Sequence, residues 1–313
     1  MSLSVRPFSP DQTAAWNTHN ESALNGHFLF DRGFMEYHAD RFRDASVMVF
    51  REDTLIATMP ANVVGDTVYS HQGLTFGGLL VGRTPTDVVV SIFEACLGFY
   101  ADLGAKELVY KPSPPIYHRG LAQADLYGLF RTGARLTRRD VTTTIDYHNP
   151  GSLSSRRRRG VSKAQKLGLT AQQSDRWPEF WRILEQTLQE RHGVAPVHAL
   201  SEIEMLAARF PNNIKLFTAQ QDADVVAGVV VFETPTVAHA QYIAASRSGR
   251  DVGALDLLFN WLIQTYQPSK GYFDFGISTE EGGRVLNQGL LTQKEEFGGS
   301  AVMHDTYTVA LQG

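Results

Sequence analysis

Residues 214–254 read IKLFTAQQDADVVAGVVVFETPTVAHAQYIAASRSGRDVGA, and this stretch decides the fold. Its apolar residues form three runs, which we predict as strands over Ile214–Gln220, Val225–Glu233 and Val237–Ala244. Turn-forming residues separate the runs, so the strands should follow one another as a meander. The next apolar run has helical spacing and predicts a helix from about Gly253 to Tyr266.

The same order of elements is predicted in both halves of the chain. Each half contains helices, three meandering strands, a helix, a strand, a helix and a final strand, although the halves share little residue identity. In the first half the meander is predicted over Ser46–Phe50, Leu55–Val64 and Thr67–Ser70. In the second half the last helix is predicted over Gly282–Leu291 and the last strand over Ala301–Leu311.

The segment His148–Ser152 contains Pro and Gly and follows the strand that closes the first half, so we place a domain boundary there. We predict an α/β protein with domains over residues 1–148 and 149–313. Each domain should be a mixed, largely antiparallel sheet flanked by helices. A length of 313 residues suits two such domains.

The composition is ordinary for a globular protein, with 43% hydrophobic and 20% charged residues. A net charge of -4 argues against a protein dominated by nucleic-acid binding. Cys96 is the single cysteine and lies in an apolar helical run, which predicts a buried thiol and a reducing compartment. Neither a signal peptide, a membrane-spanning stretch nor a Cys/His metal cluster is apparent, so we expect a soluble, cytoplasmic, metal-free protein.

The order of elements resembles that of GNAT acyltransferases, which makes the two predicted domains GNAT-like halves. In that fold the last meander strand parts from the next strand, and the helix that begins there binds the pyrophosphate of acyl-CoA. Arg250 and Gly253 match the start of the family's Q/R-x-x-G-x-G/A loop, but Leu255 stands where a small residue belongs. The resemblance implies acetyl-CoA or another acyl-CoA as donor, whereas a polar loop that merely starts a helix is the alternative. The predicted cofactor-binding residues are Ser246, Arg247, Gly249, Arg250 and Gly253.

Four short motifs also resemble the Fem-type peptidyltransferases and their GNAT-like relatives from polysaccharide loci. They are the basic segment Arg156–Gly168, the strand end Gln241–Ser246, the segment Tyr272–Gly276 (YFDFG) and residues 293–299 (QKEEFGG). The resemblance implies transfer of an acyl or aminoacyl group to an amine of a sugar or cell-envelope precursor.

Three residues of these motifs are predicted to be catalytic. The resemblance implies that Lys294 contacts substrate phosphate or stabilises the developing oxyanion. Its replacement by alanine should then abolish turnover without affecting folding. Asp274, at a strand end, would accept a proton or orient the amine, or else cap the following turn, and Glu280 or Glu281 could substitute. Tyr242 would protonate a leaving thiolate, or simply pack.

Polar and aromatic residues gather after two strands of the first half, in the segments Tyr69–Gly78 and Tyr110–His118. Aromatic rings stack on sugars and lysine binds phosphate, so these segments predict a pocket for the acceptor. A structural role in turns is the alternative, and His71 or His118 is a further candidate for the base. The predicted substrate-binding residues of these segments are His71, Gln72, Lys111, Tyr117 and His118.

A basic helix follows the predicted boundary. Its residues Arg156, Arg159, Lys163 and Lys166 have the spacing of one helix face. Val161, Ala164 and Leu167 should lie opposite, against the core. Because no acid accompanies the cations in sequence, we predict that Arg159 and Lys163 bind an anionic substrate, such as a diphosphate or an RNA backbone. A solvated face is the alternative.

The sequence thus favours an acyl-CoA-dependent N-acyltransferase that acts on an amino-sugar or envelope precursor. Aminoacyl-tRNA is the second candidate donor, although the basic surface is short and the net charge is negative. A non-catalytic module that binds a glycan or a nucleotide-sugar is the third reading, which the mismatch at Leu255 favours.

Overall fold

A computed structural model describes residues 3–311, with only the backbone described at His192. Its strands are β1 (Leu3–Pro7), β2 (Val47–Arg51), β3 (Thr54–Met59), β4 (Asn62–Val64), β5 (Thr67–Tyr69), β6 (Leu80–Val81), β7 (Glu107–Tyr110), β8 (Arg135–Asp146), β9 (Thr170–Ser174), β10 (Ile214–Gln221), β11 (Asp224–Glu233), β12 (Val237–Ala245), β13 (Tyr272–Ile277), β14 (Thr279–Glu280), β15 (Val285–Leu286) and β16 (Ser300–Ala310).

The α-helices are α1 (Thr13–Ser22), α2 (Arg32–Met35), α3 (Thr86–Asp102), α4 (Ala124–Arg131), α5 (Ser155–Lys166), α6 (Trp177–His192), α7 (Leu200–Arg209), α8 (Arg247–Val252), α9 (Ala254–Tyr266) and α10 (Gln288–Glu295). Short 3-10 helices cover Pro10–Gln12, Phe28–Phe30, Glu36–His38, Pro115–Tyr117 and Glu281–Gly283. Within residues 3–311, no helix has the length and apolar character needed to cross a lipid bilayer.

The chain forms two compact units. Of the described residues, unit 1 contains 3–140, 281–285 and 303–311, and unit 2 contains 141–280 and 286–302. Strands β8 and β16 therefore each begin in one unit and end in the other. The domain boundary between residues 148 and 149 was predicted from the repeated order of elements along the chain. It stays a prediction.

Unit 1 is built on antiparallel strands in the order β1-β2-β3-β6, with α3 packed beside them. In a second part of this unit, β5 pairs with β4 on one side and runs parallel to β7 on the other. The core is apolar and contains Cys96, which is fully buried, as its place in an apolar helical run predicts.

Unit 2 has a sheet in the order β8-β13-β12-β11-β10-β9, in which β12 and β13 run parallel and the other neighbouring strands run antiparallel. Helix α9 covers one face, where its apolar side chains meet Ala238 and Ala240 of β12 and Phe273 and Phe275 of β13. The three meander strands predicted from residues 214–254 are confirmed as β10, β11 and β12, and the helix after them as α9.

The structure corrects several predicted elements. The strand predicted over Leu55–Val64 is interrupted at Pro60, because proline has no N–H for a sheet hydrogen bond. The last helix begins at Gln288 instead of Gly282, since Gly282 and Gly283 have positive φ angles of 63° and 87°. The segment Arg247–Val252 is helix α8, where the GNAT resemblance implied a loop.

Candidate active site

The parallel strands β12 and β13 stay together for a short distance. Their register joins Val237 to Tyr272, Ala238 to Phe273 and, last, His239 to Asp274. Beyond that rung β12 continues to Ala245 and β13 to Ile277 without further pairing between them. The two strands therefore part at His239 and Asp274, which opens the sheet at that level.

His239 and Asp274 point away from the core beneath α9. Their neighbours Ala238, Ala240, Phe273 and Phe275 belong to that core, and successive side chains of a strand face opposite sides. The opposite face therefore carries a histidine and a carboxylate on adjacent strands.

A hydrogen bond joins this pair, with His239 Nδ1 2.7 Å from Asp274 Oδ2. Asp274 is fully buried, and the His239 side chain is 13% exposed. Since a carboxylate is an acceptor, Nδ1 donates in this hydrogen bond, so in the neutral ring Nε2 is the nitrogen with the lone pair. An imidazole oriented by a carboxylate in this way can act as a general base.

Asp274 is held in place by further donors. The hydroxyls of Thr142 and Thr144 on β8 both donate to Oδ1, the latter at 3.0 Å, and the Gly276 amide donates to Oδ1 at 3.2 Å. The bond from the Gly276 amide fits the predicted role of Asp274 in capping the turn, and the bond to His239 fits its predicted role in the site. These donors stabilise a negative charge on a buried carboxylate.

Lys294 of α10 lies beside the same turn. Its Nζ donates to the carbonyl oxygens of Gly276 and Ile277, each at 2.7 Å, and the residue is 5% exposed. Burial lowers the pKa of the ammonium to about 8, against the opposing effect of the Asp274 charge. The structure therefore brings two predicted catalytic residues, Lys294 and Asp274, together around Gly276.

The third predicted catalytic residue, Tyr242, has a different partner. Its hydroxyl lies 2.6 Å from Nδ1 of His198 and accepts a 3.3 Å hydrogen bond from the His198 amide. Its ring packs edge-on against Trp181 with centroids 5.2 Å apart. Of the two alternative carboxylates, Glu280 is exposed and accepts from Asn287, and Glu281 is exposed with a φ of 49°.

The predicted cofactor-binding residues lie on and around α8. Ser246 caps the helix by accepting from the Gly249 amide at 3.0 Å, and Arg250 donates to the Ala245 carbonyl at 2.8 Å, while Arg247 is exposed. Gly253 ends α8 with a φ of 77°. A Cβ at Gly253 would lie 2.9 Å from the carbonyl oxygen of Gly160, so α5 packs closely against the start of α9.

Helix α5 carries the predicted basic face, with two corrections. Val161 and Ala164 are buried as predicted, but Leu167 is 45% exposed because the helix ends at Lys166. Arg156 has an acidic neighbour after all, since Glu296 lies 3.7 Å away. The sequence could not show this pair because 140 positions separate its members.

The outer face of α5 remains strongly cationic. Among residues 3–311, no carboxylate pairs with Arg158, Arg159, Lys163 or Lys166, and these four line a shallow cavity of about 660 Å³. Lys163 donates to the Asp251 carbonyl at the end of α8 at 2.7 Å. The predicted substrate-binding cations and the predicted cofactor segment therefore adjoin each other in unit 2.

The other predicted substrate-binding residues belong to unit 1 and are largely packed inside it. His71 is 4% exposed, has a φ of 71° and stacks on His38 with ring centroids 5.2 Å apart. Tyr117 is 2% exposed and packs against Phe76 with centroids 4.5 Å apart. Burial lowers the pKa of His71 to about 3.

The remaining three residues of this set make local hydrogen bonds. Gln72 exchanges two hydrogen bonds with Asn62, Lys111 donates to the Leu74 carbonyl at 2.6 Å, and His118 Nε2 lies 3.0 Å from the Ser113 carbonyl. Burial lowers the pKa of Lys111 to about 8. Their proposed contact with an acceptor stays a prediction.

Two histidines at the site were missed from the sequence, His239 and His198. The signal for His239 was a polar residue inside an otherwise apolar strand, VAHA, whose neighbour in the sheet also carries a polar residue, Asp274, between aromatic ones. His198 lies in the turn before α7 and has no such pattern. In the part of the chain that the structure describes, no group of three or more His, Cys, Asp or Glu side chains could hold a metal ion.

Comparisons with known proteins bear on the fold that carries this site. The family model described as "Acetyltransferase (GNAT) domain" matches residues 152–281, which include β12, β13 and α8. No curated protein matches the sequence. The confirmed fold class is therefore α/β with GNAT-like halves, as the solved structures also show.

Three solved structures share the fold along nearly the whole chain. FemX has a TM-score of 0.69 at 13% identity and covers 98% of this chain and 97% of its own. The C-terminal domain of a putative lysylphosphatidylglycerol synthetase from Agrobacterium fabrum has a TM-score of 0.63 at 12% identity, with coverages of 96% and 92%. A tandem GNAT protein from the clavulanic acid biosynthesis pathway has a TM-score of 0.53 at 12% identity, with coverages of 100% and 99%. The fold is thus shared by GNAT and Fem-like proteins.

Proposed function

We propose that this protein transfers an acyl group from acyl-CoA to an amine of an amino-sugar or another cell-envelope or polysaccharide precursor. The observation that carries the proposal is the His239–Asp274 pair, placed where β12 and β13 part. An opening between two parallel strands gives a substrate access to the backbone, and the paired imidazole gives it a base. The GNAT match over residues 152–281 supports the reaction class.

In the proposed reaction His239 takes a proton from the acceptor ammonium, and the free amine attacks the carbonyl carbon of the thioester. Asp274 stabilises the imidazolium that forms, because its carboxylate already accepts the Nδ1 proton. The tetrahedral intermediate then expels the thiolate, which takes up a proton, while the nitrogen releases its second ammonium proton to solvent, and an amide remains. Tyr242, hydrogen-bonded to His198, is the proposed proton donor for that thiolate.

Lys294 is proposed to stabilise the oxyanion of the intermediate. Two of its three N–H groups donate hydrogen bonds to the Gly276 and Ile277 carbonyls, and the third is proposed to donate to a substrate oxygen. A positive charge in a buried environment acts more strongly on a nearby oxyanion than it would in water. The two backbone contacts hold the ammonium in position before the substrate arrives.

The surface of α5 and α8 supports a donor that carries phosphate groups. Lys163 of α5 donates to the Asp251 carbonyl of α8 and so joins the two helices. Arg159 is exposed on α5, and Arg247 is exposed on α8. We propose that these cations hold the phosphates of the donor, together with Ser246, Gly249, Arg250 and Gly253 around α8. The residues His71, Gln72, Lys111, Tyr117 and His118 of unit 1 stay proposed for the acceptor.

Aminoacyl-tRNA is the second candidate donor, and the exposed cations of α5 favour it. Four cations without carboxylate partners on one helix face suit a chain of phosphates better than a single diphosphate. FemX and the putative lysylphosphatidylglycerol synthetase domain share the fold, which is consistent with either donor.

The test measures transfer from both donors. Acetyl-CoA and longer acyl-CoAs are incubated with a panel of UDP-amino-sugars and the released thiol is quantified, while aminoacylated tRNA is incubated with the same acceptors and the product is detected by mass. Turnover with acyl-CoA supports the proposal, turnover with tRNA alone supports the second candidate, and turnover with neither refutes both in favour of a binding module.

A matched pair of variants links the activity to the site. His239→Gln should remove most of the turnover, because glutamine cannot take the proton. His148→Gln is the control, since His148 also contacts an aspartate, with Nδ1 3.1 Å from Asp146 Oδ1, but is 77% exposed. Equal loss in both variants would contradict the role of His239.

A further inference from the structure

Unit 1 contains a cavity of about 730 Å³ that the proposed reaction does not use. It lies where β6 ends, beside the first turns of α3 and α4. Its lining comes from the segments 79–89 and 120–127 together with Leu24. This volume falls within the range of small-molecule pockets.

The walls of this cavity are mostly apolar. Leu79, Val81 and Val89 are buried and line it, and Leu24 and Ala122 add partly buried carbon surface. Such walls favour a ligand with an apolar body, because contact with them removes hydrocarbon surface from water. Specificity would then come from the few polar groups in the lining.

The lining holds one cation and one anion. Arg83 is exposed, and within residues 3–311 no acidic side chain pairs with its guanidinium. Asp125 is 7% exposed and is the buried ionisable group of the lining. Burial of a carboxyl is costly unless hydrogen bonds or an opposite charge compensate for it.

Asp125 is compensated only in part. Its Oδ2 accepts a 2.7 Å hydrogen bond from the Tyr110 hydroxyl, which itself accepts from the Leu79 amide at 2.7 Å, and its Oδ1 accepts from the Leu126 amide. These bonds lower the pKa of Asp125, yet burial outweighs them and raises it to about 6. A ligand cation beside this carboxylate would supply the compensation that the protein lacks.

We propose that the cavity binds a small zwitterion of the amino-acid or short-peptide class, with its carboxylate at Arg83, its ammonium at Asp125 and its apolar portion against Leu79, Val81 and Val89. An anion without an ammonium would be repelled by Asp125, and a cation without a carboxylate would leave Arg83 unused. The site is independent of the acyl-transfer proposal, because none of its residues is assigned to that reaction.

The test is calorimetric titration of the full chain at pH 7.5. The probes are L-leucine, the dipeptide Leu-Leu and 6-aminohexanoate, which place the two charges at increasing separation. The matched controls are hexylamine and hexanoate, which each keep one charge. We expect at least one zwitterion to bind, and to bind at least tenfold more tightly than either control.

Variants assign the binding to this cavity. Arg83→Gln and Asp125→Asn should each weaken binding of the best probe at least tenfold, and Ala122→Trp should abolish it by filling the cavity. Arg43→Gln is the control, because Arg43 is another exposed arginine of unit 1. Since Arg83 is on the surface, Arg83→Gln remains informative even if Asp125→Asn alters folding.

Two outcomes would overturn the proposal. One is that none of the three zwitterions binds to the unaltered protein. The other is that a zwitterion binds with the same affinity to Arg83→Gln and Ala122→Trp as to Arg43→Gln, which would place its site elsewhere.

Discussion

Asp274 Oδ2 lies 2.7 Å from His239 Nδ1 on the last rung that joins β12 to β13. The two residues are separated by 35 positions in sequence, and the parallel register of the strands brings them together. Thr142 and Thr144, from a third strand, hold the carboxylate. The pair is thus built into the sheet, where strand pairing and side-chain hydrogen bonds from a third strand orient it.

Asp274→Asn should lower kcat by about 10² to 10⁴. An amide can keep the shape of the side chain, but it cannot stabilise the imidazolium that forms when His239 takes a proton. The measurement is steady-state turnover of whichever donor is active, with Tm recorded for the same sample. Thr170→Val serves as a control threonine on the exposed edge of unit 2. Full activity of Asp274→Asn would remove the carboxylate from the mechanism.

Lys294→Met should reduce turnover and also destabilise the protein, by about 1 to 3 kcal/mol. The sequence predicted an effect on turnover alone, but the structure shows that Nζ satisfies the Gly276 and Ile277 carbonyls. Both carbonyls lose a charged donor in the variant. Denaturant unfolding measures the free energy, and turnover is assayed where the variant is fully folded. An unchanged unfolding midpoint would contradict the structural part of this prediction.

The fold was predictable because its signals are local. In residues 214–254, apolar residues either alternate with polar ones or form continuous runs, and turn-forming residues mark the ends of the runs. Strands β10, β11 and β12 therefore follow from the sequence. Helix α8 was missed, because its six residues are too few and too polar for a periodic apolar pattern. The site was predictable only in part, since Asp274 and Lys294 lie in motifs whereas His239 acquires its partner through strand pairing.

The same limit applies to charge. Six basic residues in α5 look alike in sequence, yet the structure buries one of them, Arg157, and leaves others in solvent. Arg157 lies 2.6 Å from Asp256 and 2.9 Å from Glu296, which are 99 and 139 positions away. Such distant partners are set by how α5 packs on α9, and a run of arginines does not reveal them.

Arg157→Met should destabilise unit 2 by about 3 to 5 kcal/mol, because it leaves two carboxylates without their shared cation in a largely buried place. The matched control is Arg158→Met, one position along, where the side chain is exposed and donates a 3.1 Å hydrogen bond to the Ser155 hydroxyl. Chemical denaturation of both variants measures the difference. Equal stability of the two variants would show that the buried ion pairs contribute no more than a solvated arginine.

Reversing the charges of Arg159 and Lys163 to glutamate should weaken binding of a phosphate-bearing donor at least tenfold. The loss should shrink as salt is added, because screened charges contribute less. Arg191→Glu is the control, since Arg191 is an exposed arginine on α6 of the same unit. Donor affinity is measured by titration at low and moderate salt. Unchanged affinity in the double variant would show that this surface is a solvated face that does not bind the donor.

His27→Phe should make stability less sensitive to acid. His27 is buried among Phe30, Phe76 and Tyr117, and neither ring nitrogen has a hydrogen-bond partner in the part of the chain that the structure describes. Burial lowers its pKa from 6.5 to about 3, with smaller effects from the neighbouring charges of His118 and Arg119. Between those values the unfolded chain binds a proton that the folded chain does not, so acid favours unfolding.

Lowering the pH from 7.5 to 5 should reduce the free energy of unfolding of the unaltered protein by about 2 kcal/mol through His27. The reason is that pH 5 lies 1.5 pH units below 6.5, and each of these pH units corresponds to about 1.4 kcal/mol. Phenylalanine fills a similar volume without a titrating group, so the variant should lose less stability over the same interval by about that amount. His71, which is also buried, shifts both proteins equally and cancels in the comparison. Urea unfolding of both proteins at pH 7.5 and pH 5 gives the difference, and parallel pH profiles would show that His27 is protonated, or hydrated, in the folded state.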